Sequence, residues 1–232
     1  MKEKEVIKKH KRIKLIFIII GMFIIPIYSF LFGNHGDLIL MTFSQVGGRI
    51  DGKLEGLIIW GLICAIYFYF IIEYMQMMVK MKNYFVTGSL LLGCVSLILT
   101  VFLPFNTVMY PASIEIHNNL ARVAVAMIII SVLLFVISLR RFDEKVFLKS
   151  IIAFALSILI LIICFLNCGV SSIFQIVFAS IMAYLSILIF LFIEKSKKLD
   201  LQEAILSKSE AIEKVKPSKA FNEEVESVFD KE

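Results

Sequence analysis

Apolar positions in this chain come in long blocks, not in the interrupted stripes of soluble helices. Six blocks stand out, at about 15–32, 54–74, 84–103, 119–139, 150–166 and 173–193. A helix needs about 20 apolar residues to cross a hydrocarbon core ~30 Å thick, and each block has roughly that length. Between them lie polar stretches: 33–56, "MQMMVKMKN", "FLPFNTVMYPASIEIHNNLAR", "RRFDEKVFLK" and "NCGVSS". The pattern predicts an all-α, polytopic membrane protein with six transmembrane helices. Its parts are a basic tail (1–14), a six-helix transmembrane domain (15–194) and a polar tail (195–232).

Composition agrees. Of 232 residues, 59% are apolar and 19% charged, and mean hydropathy is +0.90, far above that of a soluble domain. The first block follows a basic start, as in a signal peptide. It is longer than a usual secretory apolar region and no A-x-A site follows, so an uncleaved first helix is expected. Pro26 lies inside it and removes a backbone hydrogen bond, which predicts a kink.

Charge sets the orientation. The net charge of +5 would suit a nucleic acid, but the first fourteen residues alone hold seven Lys/Arg against two Glu. Such a segment suits anionic headgroups beside a span, so no nucleic-acid partner is expected. With alternate connections assigned to opposite sides, sixteen Lys/Arg fall on one side and three on the other. The positive-inside rule then places both termini in the cytoplasm, in a cell (plasma) membrane. Connections one, three and five face outward.

The polar tail carries Leu201, Ala204, Ile205, Ala211, Ile212 and Val215 near helical spacing, up to Pro217. One short amphipathic helix is expected there, lying on the membrane or pairing with a protein partner. Cys64, Cys94, Cys164 and Cys168 show no C-x-x-C spacing, so no zinc or disulfide framework is implied. Neither a metal nor another cofactor is expected.

Candidate chemistry gathers outside the membrane. An ionisable group at mid-bilayer is a functional hypothesis by default, and the middles of all six blocks lack Asp, Glu, Lys, Arg and His. Ion-coupled carriage is therefore disfavoured. The first outer loop brings Ser44 and Asp51, and the second brings Glu115, His117, Asn118 and Arg122. Folded together, the two loops would form a lid or a headgroup-sized pocket. A His, an acid and an Arg at headgroup level suit binding a phosphate or polarising an ester. The alternative is that His117 caps the fourth helix or bonds a loop carbonyl, while Arg122 snorkels to lipid phosphates. No G-x-S-x-G, H-E-x-x-H or P-loop occurs. Gly52 with Gly56, and Ser89 with Gly93, are spaced for close helix packing.

The "FSQVGG" after the first helix, the "FLPF" (Phe102–Phe105) ending the third and the "HNNLA" (His117–Ala121) opening the fourth resemble uncharacterised bacterial six-helix membrane proteins. That group is similar in plan to the Frag/DRAM/Sfk-like proteins. The resemblance implies a six-helix bundle with a functional outer face, a link to lipid or membrane homeostasis, and weight on Ser44, Gly47, Pro104 and His117. It implies no particular reaction. The expected function is binding, sensing or remodelling of membrane lipid; the balance leans away from catalysis, with a lipid hydrolase as the enzyme alternative. The alternatives are a transporter or export subunit for a small or amphipathic molecule, and an accessory or immunity-type protein acting through a partner on the C-terminal tail.

Overall fold

The computed structural model describes residues 2–48, 53–103 and 111–215, with side chains over 10–48, 53–103 and 113–197. Asp51, Arg49, Gly52 and Pro104 lie outside the described residues. The helices are α1 (Lys2–Ile19), α2 (Ile25–Gly33), α3 (Phe43–Gly47), α4 (Leu54–Met78), α5 (Tyr84–Phe102), α6 (Pro111–Ser138), α7 (Glu144–Cys168) and α8 (Ser172–Val215). A π-helical turn, Ile20–Ile24, joins α1 to α2, and a 3-10 turn, Leu139–Arg141, follows α6. Among the described residues there is no strand, and six helices are long and apolar enough to cross a membrane. The protein is an all-α, multi-pass membrane protein.

The spans outrun the apolar blocks. The fourth runs Ser113–Arg141 and the fifth Glu144–Cys168, because polar residues at span ends take helical backbone as readily as apolar ones. The fourth helix thus begins well before the predicted 119. The chain divides into two units, 1–193 and 194–232. The tail residues for which a short helix was expected are helical as far as Val215, within α8. No Pro or Gly interrupts 194–215, so nothing in the sequence stops the helix before Pro217.

Pro26 acts as expected in kind but by a specific device. Its ring clashes with the carbonyl four residues back. The ladder widens there, and the Ile25 N–H donates to the Ile20 carbonyl, a five-residue step. The π-turn absorbs the missing bond and lets α1 run on into α2.

Within the first unit α8 is the most enclosed span. Met182, Ala183, Leu185, Ser186, Ile189 and Phe190 are buried on all sides of it. Around it, α5 and α6 pack most extensively, at Gly93, where an added Cβ would meet the Ile128 backbone nitrogen at 3.1 Å. The predicted Ser89/Gly93 pair therefore sits in a close helix crossing. Polar clips join other helices: Trp60 Nε1–H donates to Ser29 Oγ (2.8 Å), and the Tyr28 hydroxyl donates to the Gly56 carbonyl (3.1 Å). At the α4–α5 turn, Gln76 Nε2–H donates to Glu73 Oε1 and Thr87 Oγ1, both at 3.1 Å. Gln76 Oε1 accepts from the Asn83 N–H at 2.8 Å.

The peripheral helix is α7. It packs mainly on α6 and the 3-10 turn, and after Leu161 none of its residues is buried. Its second half lies at the end of the bundle that carries α3, the end of α5, the start of α6 and the α7–α8 connection. We call this the distal end.

Candidate functional site

The first connection is built, not loose. "TFSQ" begins α3 as a capping box. Thr42 Oγ1 accepts from the Gln45 N–H (3.3 Å), and Gln45 Oε1 accepts from the Thr42 N–H (2.7 Å). The helix is one turn and a half long, yet Phe43, Ser44, Val46 and Gly47 are all buried. Phe43 stands edge-on to Phe32 and Trp60, with ring centroids 5.2 and 4.9 Å away.

The start of α8 pins this connection. The Ser172 N–H donates to the Met41 carbonyl (2.6 Å) and the Ile173 N–H to the Leu38 carbonyl (2.9 Å). Gln175 Oε1 accepts from the Phe43 N–H at 2.7 Å. The α7–α8 turn that delivers these groups needs Gly169, whose φ of 59° with ψ of −153° suits only glycine. The α7–α8 connection thus anchors the segment between α2 and α3 and the start of α3.

Ser44, fixed on α3, meets His117 across 73 positions of chain. Its Oγ lies 2.6 Å from His117 Nε2, inside the structure, with His117 only 1% exposed and Ser44 9%. His117 is the seventh residue of α6, not a cap before it, which corrects the capping alternative. On its other side the imidazole lies against the backbone of Thr100 and Leu103 in the last turn of α5. Terminal carbonyls of a helix accept and never donate. In the tautomer whose ring proton sits on Nδ1, Nε2 accepts the Ser44 hydroxyl proton.

Both side chains face a cavity of about 660 Å³. That volume falls within the ~300–1,000 Å³ of small-molecule sites. Its polar end holds Ser44, Gln45, His117, Asn118, Arg122 and Gln175. Its apolar end is lined by Cys64, Phe68, Leu97, Ile128, Phe178 and Ala179. Cys64 and Phe68 lie near the middle of α4, so the cavity reaches mid-span. Beyond them Ile71, Ile72, Met75, Phe135 and Phe190 are packed in one buried cluster, and the lining ends there. Phe165, Val170 and Phe174 line the side formed by α7, the α7–α8 connection and the start of α8.

Four of the six expected site residues therefore converge: Ser44, His117, Asn118 and Arg122 all line the cavity. Glu115 is exposed and outside the lining, so it does not join them, because two residues before His117 on a helix is nearly the opposite face. Arg122 Nη1–H donates to Asn119 Oδ1 at 3.3 Å on the surface. The sequence pointed to Gln45 only as one of the polar residues of the first loop, and it did not single out Gln175, Thr42 or Trp60. Only the T-x-x-Q pattern of Thr42 and Gln45 carried a signal that could have found two of them. Among the described residues no group of three His, Cys, Asp or Glu is placed to hold a metal.

Fold and site together define a six-span, all-α membrane protein with an amphipathic cavity let into its distal half. No family model, curated protein or solved structure matches this chain.

Proposed function

We propose that the protein binds a membrane amphiphile, a lipid of the outer leaflet, in the distal cavity. The single observation that carries this is the cavity's polarity: a cluster of hydrogen-bonding groups and one guanidinium at the surface end, aliphatic and aromatic side chains to mid-span. A headgroup suits the first and an acyl chain the second. Phe165 of α7 lines the cavity and the second half of α7 is not buried, which suits a sideways route for lipid on that side.

On this reading the distal end faces outward and both termini are cytoplasmic, as the Lys/Arg asymmetry of the flanks supports. The membrane is the plasma membrane of a bacterium, and the likeness to Frag/DRAM/Sfk-like proteins belongs to the same proposal. Export across the bilayer is the weaker reading, because the packed cluster from Ile71 to Phe190 closes the path below the cavity.

Native mass spectrometry of the purified protein tests the proposal. Wild type is expected to retain a lipid of defined headgroup. Ala121→Phe, which fills the cavity between its polar and apolar ends, is expected to lose it at unchanged thermal stability. Equal lipid occupancy in both would refute the cavity as the binding site.

A further inference from the structure

We propose that Ser44 and His117 are a nucleophile and its general base, and that the protein cleaves a carboxylic ester of the lipid it holds. The inference rests on the lipid-pocket reading and gives it a reaction.

The geometry meets the requirements of nucleophilic catalysis one by one. The Ser44 Oγ to His117 Nε2 distance of 2.6 Å is within reach for proton transfer. On this proposal the ring carries its proton on Nδ1, which leaves Nε2 as the base facing Ser44. The capping box and the Gln175 contact fix the backbone that carries Ser44. Both members of the pair line the cavity, where an ester between headgroup and acyl chain would lie.

Candidate donors for the developing oxyanion line the same cavity as the nucleophile. Gln45 and Gln175 each spend their carbonyl oxygen on a backbone N–H, of Thr42 and Phe43 respectively. Backbone N–H groups can only donate, so these bonds fix each amide the same way round. The amide NH2 is then the donor end of each side chain, and both side chains line the cavity that Ser44 lines. Preorganised donors of this kind are what an acyl-transfer transition state needs.

The reaction balances without a cofactor. Ser44 Oγ bonds to the ester carbonyl carbon while its proton passes to His117 Nε2. The carbon–alkoxy bond breaks, and the departing alcohol takes that proton. Water then attacks the acyl-Ser44 ester, giving its proton to Nε2, and the collapse releases a carboxylic acid and restores the serine. Ester and water become acid and alcohol.

The test uses the purified full-length protein, a fluorophosphonate–rhodamine probe and p-nitrophenyl esters from acetate to laurate. Wild type should be labelled, with the adduct on the Ser44 peptide, and should cleave long-chain esters faster than acetate. Ser44→Ala should lose both signals. His117→Gln, whose amide oxygen can still accept the Ser44 hydroxyl, should lower both by at least about a hundredfold, the scale of general-base catalysis, while keeping the wild-type melting temperature. The wild-type result needs no variant to fold. No labelling and no ester cleavage by wild type, with lipid still bound in native mass spectra, overturns the reaction and leaves the pocket standing. Labelling on another serine, or full labelling of His117→Gln, also overturns it. Absence of lipid and of labelling together would remove both proposals.

Discussion

Single residues in this protein act through partners far away in sequence. Ser44 and His117 both attract notice in the bare sequence, one in a polar loop and the other as one of three histidines. Their contact does not, because nothing local to either residue encodes a meeting across 73 positions. His117 reads as a cap from sequence because Asn118 and Asn119 follow it, and such residues compete with helical backbone. Pro111 at the start of α6 overrides them, since it fits a first turn without loss. Asp37 shows a simpler local logic. Its Oδ1 accepts the Ile39 and Leu40 N–H groups, both at 2.9 Å, and these bonds to the charged form hold its carboxyl below the usual range. A depressed folded pKa stabilises above the unfolded carboxyl value, near 3.9, and the gain is lost as pH falls through the folded value. Asp37→Asn should therefore melt slightly below wild type at pH 7, and the gap should close in acid below about pH 3. Melting temperatures of both proteins across that range check it; a gap that widens in acid would contradict the assignment.

At the scale of elements, periodicity found the spans and the small-residue spacing found the closest crossing, but neither fixed the ends. Helix ends depend on caps and turns: the Asn83 side chain accepts from the Phe85 N–H to start α5, and Asp143 does the same for Lys145 and Val146 at α7. These are short-range signals that a hydropathy pattern passes over. The one-turn α3 was hidden altogether, because five residues are too few to show a period. Two glycines of α5 separate packing from intrinsic helix preference. Gly93 faces α6 at backbone distance, with the Ile128 nitrogen 3.1 Å and the Ala124 carbonyl 3.3 Å from an added Cβ, whereas Gly88 has nothing within 4 Å. Gly93→Ala should force α5 and α6 apart and destabilise by about 1–3 kcal/mol, the range for overpacking. Gly88→Ala should be neutral or stabilising by up to about 1 kcal/mol, as alanine is the better helix former. Unfolding of the two variants in mixed micelles measures the difference, and equal effects would deny the close crossing.

For the whole molecule, class and span number were legible because the bilayer imposes a length and a polarity that the sequence must display. The cavity was not. It arises where side chains of α3, α4, α5, α6, α7 and α8 meet around one space, a property of helix placement that no residue announces. On α7, Ile162, Ile163, Phe165 and Leu166 are exposed, a surface suited to acyl chains and not to water. The central claim is that lipid enters there and rests with its headgroup by Ser44 and His117 and its tail by Cys64 and Phe68. The most direct measurement is photocrosslinking in membranes with a phospholipid carrying a diazirine near its acyl terminus, followed by peptide mapping. Adducts concentrated on the α4 segment around Cys64–Phe68 and the α8 segment around Phe178–Ala179, and removed by Ala121→Phe, are the predicted result. Adducts spread over the lipid-facing residues of α1 and α7, unchanged in that variant, would contradict it.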